Sequence, residues 1–237
     1  MKLLIISGGS KGLGLALCKE YQQHGFSIVE FSRTAPHPFS VSVDLSNSKE
    51  SANVIAKALA PLAAIEWREI VVINNAGTLN PMGPASKKNR DHVIDNININ
   101  FASGILFISE ALGHFQGHSG KKTLANISSG AALGGYPGWS LYCAAKAGME
   151  NFIASIALEQ DLESDPFCAI NIGPGVIDTD MQASIRKAKA EDFPAVERFI
   201  DRKESGDLRP PETVAADIFA ITEQSIVENG RRYDAAG

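Results

Sequence analysis

Short apolar runs alternate along the chain with longer segments whose apolar residues recur at helical spacing. The apolar runs are 3–7, 27–31, 39–43, 69–74, 122–128 and 167–172, and the principal helical segments are 14–25, 48–62 and 140–162. Runs this apolar are typical of strands buried on both faces, and strands that alternate with helices form parallel sheets with right-handed crossovers. The pattern therefore predicts an α/β fold: a doubly wound, mainly parallel sheet with helices on both of its faces.

One segment, from 178 to 208, interrupts this alternation and is rich in charged residues. It predicts a helical insertion that lies over a site, and the alternative is a solvated, charged face. Both descriptions can hold for different faces of the same segment. No repeat, low-complexity tract or linker divides the sequence, so we predict a single domain over 1–237.

Composition and charge exclude several classes of protein. The 237 residues carry a net charge of −5, which is not the basic footprint of a nucleic-acid-binding protein. No apolar run approaches the roughly 20 residues that span a bilayer, and the N-terminal run is too short for a signal peptide. The three cysteines lack metal or disulfide spacing, and the five histidines are scattered. We therefore expect a cytoplasmic protein without a metal site.

A glycine-rich loop, SGGSKGLG (7–14), directly follows the first predicted strand and opens a helix. Gly8, Gly12 and Gly14 would allow a tight turn and a close approach of backbone to a pyrophosphate. The strand before the loop and the helix after it are the context that such a motif requires. The loop thus predicts a nucleotide site, and the alternative is an ordinary strand-to-helix turn.

The end of the second strand bears on which nicotinamide cofactor the site would take. An acidic residue there would bind the ribose hydroxyls of NAD, whereas a basic residue would accommodate the 2′-phosphate of NADP. Ser32 stands at the expected acid position, Arg33 follows it, and Glu30 lies too early, within the strand. With Lys11 in the glycine loop, these residues favour NADP(H). The alternative is that both cations are ordinary surface residues that contribute only to solubility.

A tyrosine and a lysine, Tyr142 and Lys146, stand four residues apart in a predicted helix and would share one face of it. A tyrosine beside a lysine is a candidate proton donor, because a neighbouring ammonium favours the phenolate and lowers the tyrosine pKa. The pair could equally be an ordinary amphipathic one, with Tyr142 in the core.

Taken in order, these motifs resemble the short-chain dehydrogenase/reductase family over nearly the whole chain. The motifs are SGGSKGLG (7–14), VDLS (43–46), NNAG (74–77), NINF (98–101), Ser129 with YCAAK (142–146), and GPGVIDTDM (173–181). Ser7 stands where the family usually has threonine, and the hydroxyl is kept. The resemblance implies a single-domain Rossmann fold with a sheet of seven strands, and a homodimer or homotetramer.

The resemblance also implies roles for individual residues. Tyr142 would be the general acid in ketone reduction, Lys146 would assist it and hold the nicotinamide ribose, and Ser129 would hydrogen-bond the carbonyl oxygen. Asn100 would support a proton-relay water. Singly, Ser129 could be a turn serine and Asn100 a helix-end residue. With Tyr142 and Lys146, the implied cofactor residues are Ser7, Gly8, Ser10, Lys11, Gly12, Leu13, Gly14, Ser32, Arg33, Asp44, Leu45, Asn75, Ala76, Gly77, Pro174, Gly175, Ile177 and Thr179.

Narrower features are similar to the sepiapterin reductase and benzil reductase branch, which reduces one carbonyl of a vicinal diketone with NADPH. Trp139 and the DTDMQ stretch carry this likeness, and Tyr136, Met181 and the insertion would shape an apolar substrate pocket. Asp234 falls where sepiapterin reductase anchors its pterin, although many relatives end in a similar stretch, so a last strand and turn is the favoured explanation. The alternatives are a 3-ketoacyl carrier-protein reductase and a non-catalytic NADP(H)-sensing protein.

Overall fold

Seven parallel strands form one sheet in the computed structural model of the protein, which describes residues 1–235. The strands are β1 (Lys2–Ser7), β2 (Phe26–Ser32), β3 (Ser40–Ser42), β4 (Glu69–Asn74), β5 (Lys121–Ile127), β6 (Cys168–Gly173) and β7 (Arg232–Asp234). Their order in the sheet is β3-β2-β1-β4-β5-β6-β7, and every pairing between neighbours is parallel. The predicted doubly wound α/β fold is confirmed. The last two residues of the predicted domain, 236–237, lie outside the described residues.

Eight α-helices connect and cover the strands within residues 1–235. They are α1 (Gly12–Gln23), α2 (Ser48–Ala63), α3 (Arg90–Ile97), α4 (Ser103–Phe115), α5 (Ser140–Gln160), α6 (Asp180–Ile185), α7 (Val196–Glu204) and α8 (Pro211–Thr222). On one face of the sheet α1 packs against α8, and on the other α2 packs against α4. None of the helices in this part of the chain has both the length and the apolar character to cross a membrane.

Strand β1 shows why the apolar runs are continuous rather than alternating. Leu3 and Ile5 point into the hydrophobic cluster beneath α2, α4 and α5, whereas Leu4 and Ile6 point into the cluster beneath α1 and α8. Successive side chains of a strand face opposite sides of the sheet, so a strand covered by helices on both sides needs an apolar residue at every position.

A row of buried polar side chains, which we call the asparagine ladder, crosses the sheet near the carboxyl ends of the strands. Ser7, Asn74, Asn126 and Asn171 stand in register on β1, β4, β5 and β6. Ser7 Oγ donates to Asn74 Oδ1 (3.1 Å), and Asn74 Nδ2 donates to Asn126 Oδ1 (3.0 Å). Asn126 Nδ2 donates to Asn171 Oδ1 (2.8 Å), and Asn171 Nδ2 donates to the carbonyl oxygen of Glu150 (3.1 Å). The ladder thus links the glycine loop after β1 to α5.

The segment from 178 to 208 contains the short helices α6 and α7. Phe193, Val196 and Phe199 of this segment are buried against Trp139, which precedes α5, while Glu197 and Asp201 are exposed. One face of the segment is therefore buried and another is solvated and charged, and its predicted position over a site stays a prediction. The buried aromatic residues hold the segment against the start of α5.

Candidate active site

The glycine loop is folded tightly against the segment that follows β4. A Cβ atom on Gly8 would lie 2.8 Å from the Cα of Ala76, and one on Gly14 would lie 2.0 Å from the Gly8 carbonyl oxygen. Gly8 also has a φ of +74°, which favours glycine. The amide of Asn75 donates to the Gly8 carbonyl oxygen (2.8 Å). A side chain at Gly8 would push the loop away from the segment after β4, and a side chain at Gly14 would push it away from α1.

The beginning of α1 has the chemistry of an anion site. Its N-cap residue, Lys11, makes no side-chain cap, and the same is true of α4 to α8, whereas α2 and α3 are capped by Asn47 and Asn89. An uncapped helix start leaves backbone N–H groups available, and the helix dipole there favours negative charge. These residues therefore fit the pyrophosphate of a dinucleotide.

Glu30 of β2 supports the glycine loop, a role that was not predicted for it from the sequence. Its side chain is fully buried and accepts a hydrogen bond from the Gly9 backbone N–H (2.9 Å) and another from Ser32 Oγ (3.2 Å). A Cβ on Gly9 would lie 2.4 Å from the Glu30 Cγ, so only glycine leaves room for this contact. Burial and the Glu30 charge raise the pKa of the nearby Cys18 thiol to about 12. The signal for this contact in the sequence was Gly9, the second glycine of the pair at 8–9.

The predicted cations are placed differently from one another. Arg33 is exposed directly after β2, and its side chain makes no ion pair with any other described residue. Lys11 Nζ lies 3.0 Å from Asp180 Oδ2 at the start of α6, and both side chains are largely exposed. An exposed pair of this kind is worth little energy, so Lys11 can exchange this partner for a ligand phosphate.

The remaining predicted cofactor residues line the carboxyl edge of the sheet on either side of the glycine loop. Thr179 approaches Gly12 closely, because a Cβ there would lie 3.4 Å from the Thr179 Cγ2. On the other side, Asp44 is exposed after β3, and Leu45 is buried with its carbonyl oxygen accepting from Ser103 Oγ (2.7 Å). On the Thr179 side, Pro174 and Ile177 are buried and Gly175 has a φ of +73°, while Ser10 in the glycine loop is half-buried.

Tyr142 and Lys146 lie one turn apart on the buried face of α5. They are 7% and 5% exposed, and Lys146 Nζ lies 5.7 Å from the centroid of the Tyr142 ring. Lys146 Nζ donates to the Ile127 carbonyl oxygen at the end of β5 (2.7 Å). This bond directs the ammonium toward the carboxyl edge of the sheet, where the glycine loop also ends.

Burial sets the protonation of this pair. It raises the pKa of Tyr142 to about 12, against the opposing effect of the Ser129 hydroxyl. It lowers the pKa of Lys146 to about 8, against the opposing effect of the Glu150 carboxylate. The expected lowering of the tyrosine pKa by a neighbouring ammonium is therefore not found: burial removes the hydration of the phenolate, and the Ser129 hydroxyl only partly opposes that effect. At neutral pH Tyr142 carries its proton.

Ser129 and Asn100 complete the group. Ser129 Oγ accepts from the Ala131 N–H (3.1 Å), so it is a turn serine that also lies beside Tyr142. Asn100 lies in the π-turn Asn98–Ala102, and its amide exchanges two bonds of 2.8 Å with the backbone of Thr78. A Cβ on Gly77 would lie 3.3 Å from Asn100 Oδ1 and 4.0 Å from Lys146 Nζ. Asn100 therefore fixes the 77–78 backbone beside Lys146, and its predicted support of a water stays a prediction.

An aromatic cluster lies next to Tyr142. The Trp139 indole stacks on Phe193 (4.4 Å between centroids, 8° between planes) and meets Tyr142 edge to face at 6.0 Å. Tyr136 and Met181, both predicted to shape an apolar pocket, pack at the border of this cluster. Phe193 was not among the predicted site residues, and its signal in the sequence was an aromatic residue in the insertion six residues before Phe199.

Asp234 lies on β7, as the last-strand alternative requires. Its carboxylate forms an ion pair with Arg232 and packs on Gly173, where a Cβ would lie 2.2 Å from Asp234 Oδ1. This carboxylate therefore already has a cationic partner, and an anchoring role for Asp234 stays a prediction.

Comparison with known proteins now identifies the family. The model of the short chain dehydrogenase family matches residues 2–190. The chain belongs to this family of oxidoreductases. It is 36% identical to a benzil reductase ((S)-benzoin forming) of Bacillus subtilis over 99% of this chain and 98% of that protein. A benzil reductase of Bacillus cereus is 32% identical over 94% of each chain.

Among solved structures, that of the KRED1-Pglu enzyme superposes with a TM-score of 0.84 at 27% identity, over 98% of this chain and 100% of that one. The resemblance to the short-chain dehydrogenase/reductase family, and within it to benzil reductases, is confirmed.

Proposed function

We propose that the protein is an NADPH-dependent carbonyl reductase that acts on one carbonyl of a vicinal diketone. The observation that carries this proposal is the placement of a protonated Tyr142 and a buried Lys146 at the sheet edge where the glycine loop ends. Full-length similarity to two benzil reductases supports the choice of a diketone.

In the proposed reaction, a ketone becomes an alcohol by gaining a hydride at carbon and a proton at oxygen. The bound nicotinamide would supply the hydride. Tyr142 would donate its phenolic proton to the carbonyl oxygen, and Ser129 would donate a hydrogen bond to the same oxygen as negative charge develops there. Lys146 would stabilise the phenolate left on Tyr142 until a proton returns from solvent.

The residues around β2 support NADPH over NADH. An acid that would bind the ribose hydroxyls and repel a 2′-phosphate is missing from position 32, and Ser32 Oγ is engaged by Glu30. Arg33 next to it is exposed and free of ion pairs within residues 1–235, so its guanidinium is available for a phosphate. The aromatic cluster around Trp139 supports a substrate with apolar or aromatic groups beside its carbonyls.

The first experiment follows the absorbance of NADPH during reaction with benzil, a phenyl diketone, sepiapterin, an acetoacetyl thioester and a simple ketone, with NADH in parallel. We expect the diketones with NADPH to react fastest. Preference for the thioester would instead indicate a 3-ketoacyl carrier-protein reductase, and tight NADPH binding without turnover would indicate a sensing protein.

Two variants make the assignment residue-specific. Tyr142→Phe should lower turnover by about a hundredfold or more while NADPH affinity changes little, because only the transferred proton is removed. Arg33→Ala should weaken NADPH and leave NADH unaffected, and the exposed Arg198 supplies the matched control, Arg198→Ala. A Tyr142→Phe protein with wild-type turnover would overturn the proposed mechanism.

A further inference from the structure

A carboxylate, Glu150, stands one helical turn beyond Lys146 on α5. Tyr142, Lys146 and Glu150 are thus spaced at four-residue intervals along one face of the helix. Glu150 Oε1 accepts a hydrogen bond from the Ser128 hydroxyl and another from Arg232 Nε (3.0 Å). Its side chain is only 17% exposed. The carboxylate is therefore fixed in place between the end of β5 and β7.

Lys146 and Glu150 both reach the end of β5. Lys146 Nζ donates to the carbonyl oxygen of Ile127, and Glu150 bonds the hydroxyl of Ser128, the next residue. Ser129, which follows, lies beside Tyr142. Three consecutive residues at and just after the end of β5 thus contact three consecutive turns of α5, and the carboxylate lies one turn beyond the lysine.

Arg232 extends this arrangement to the loop after β6. Its guanidinium pairs with Glu150 on one side and with Asp234 on the other. A Cβ on Gly173 would lie 2.6 Å from Arg232 Nη2, so the guanidinium lies directly against the residue that opens the 173–179 loop. The backbone of Glu150 is held as well, by Asn171 at the end of the asparagine ladder.

We propose that Glu150, held by Ser128 and Arg232, is a positioning residue for Lys146 that keeps the lysine ammonium charged and seated at the end of β5. This inference rests on the proposed reductase activity, because it assigns Lys146 a role in that reaction. Glu150 itself touches neither substrate nor cofactor in this scheme and acts through Lys146.

Among the described residues, few other charged or titratable groups surround this pair. Tyr142 and Cys143 come from α5 itself, and Arg232 and Asp234 come from β7. The neighbouring ends of β5 and β6 and the 77–78 segment contribute groups that do not titrate, namely Ser128, Asn171 and Asn100 with their backbone. Glu150 is therefore the carboxylate that acts directly on the lysine, and Arg232 moderates it.

This arrangement has a pH consequence with a definite sign. Burial lowers the pKa of Lys146 to about 8 and Glu150 opposes that lowering, so removal of the carboxylate lowers the lysine pKa further. Lys146 then loses its proton at a lower pH, and Tyr142 loses its electrostatic partner there. Reduction should fall as the pH rises through the pKa of Lys146, and it should fall earlier without Glu150.

The test compares Glu150→Gln with wild type across pH. We expect equal kcat/KM at about pH 6, where Lys146 is protonated in both proteins. We expect the basic limb of the profile to move down by about half a unit to one unit, with a loss of about threefold to tenfold above it. A purely structural residue would lower kcat/KM by the same factor at every pH, and that result would overturn the proposal.

Two further variants keep the test decisive if Glu150→Gln folds poorly. Arg232→Gln removes the cation that moderates Glu150, so the basic limb should move up instead of down. Glu159→Gln removes an exposed carboxylate from the same helix and should leave the profile unchanged. A downward shift in Arg232→Gln, or an equal shift in Glu159→Gln, would contradict the role of Glu150.

A second readout separates this inference from the proposed function. NMR titration of the lysine side-chain nitrogen, assigned with a Lys146→Arg variant, measures the pKa of Lys146 without any substrate. A lower pKa in Glu150→Gln supports the link even if no carbonyl is reduced, in which case the proposed activity alone has failed. An unchanged pKa contradicts the link even if benzil is reduced.

Discussion

Phe193 offers a direct test of how the segment 178–208 is held over the site. Its ring is fully buried, stacks on Trp139 at 4.4 Å and contacts Phe199 at 5.5 Å. Truncation of a buried phenylalanine to alanine lowers the free energy of unfolding by about 3–5 kcal/mol, because less apolar surface is buried on folding and a cavity remains. The stack with Trp139 accounts for about 0.5–1.5 kcal/mol of this by itself.

This loss should appear locally rather than throughout the fold. Phe193 belongs to a cluster of its own, with Trp139, Ile185, Val196 and Phe199, separate from the two clusters that cover the sheet. In Phe193→Ala, a loss of about 3 kcal/mol from local opening would accelerate amide exchange across α6 and α7 by about a hundredfold. Strand β4, which is buried on both faces, should exchange as in wild type.

Hydrogen exchange followed by mass spectrometry measures both regions in one experiment. Phe115→Ala is the matched control, since Phe115 is also fully buried but belongs to the cluster beneath α2, α4 and α5. In Phe115→Ala we expect amide exchange to accelerate in the strands of the sheet, including β4. Unchanged exchange in α6 and α7 of Phe193→Ala, or equal acceleration of β4, would refute the reasoning.

Three other predictions concern stability. Asn126→Leu leaves Asn74 Nδ2 and Asn171 Oδ1 without partners, so it should lower the unfolding free energy in urea by about 2–5 kcal/mol; a loss below that range contradicts the ladder. Burial lowers the pKa of Lys146 to about 8, so as the pH rises from there toward about 10 the wild type should gain on Lys146→Met by about 1.4 kcal/mol per pH unit; a constant difference contradicts this. In Gly138→Ala a Cβ would lie 2.2 Å from the Asp192 carbonyl oxygen at a φ of +87°, so thermal unfolding should show a loss of about 2 kcal/mol or more.

The sequence predicts the parts of this molecule that depend on local pattern. Strand β1 is recognisable because burial on both faces requires an unbroken apolar run, and Tyr142 and Lys146 share a face because helical spacing requires it. The glycine loop is recognisable for the same reason, since Gly8 and Gly14 are needed by close backbone approaches next to one another in the chain.

Contacts between distant parts of the chain could not be predicted in this way. Glu30 reads as an ordinary strand residue until the fold brings its carboxylate to the N–H of Gly9. From the sequence alone, Glu150 is indistinguishable from any other charged residue of a helix, because its partner Arg232 on β7 is 82 residues away along the chain. Both contacts depend on strand order, which spacing along the sequence does not contain.

The asparagine ladder also has a consequence for how the sheet assembles. Every bond in it runs in one direction, since Ser7 and each asparagine donate toward the next strand and the last donor ends on a helix carbonyl. A β-strand displaced by one residue would turn its amide to the opposite face of the sheet, among apolar side chains. The donors and acceptors on both neighbouring strands would then lose their hydrogen-bond partners. Four strands must therefore align before all of these groups are satisfied. The ladder therefore favours a single register across these four strands, because other registers leave buried polar groups without hydrogen-bond partners.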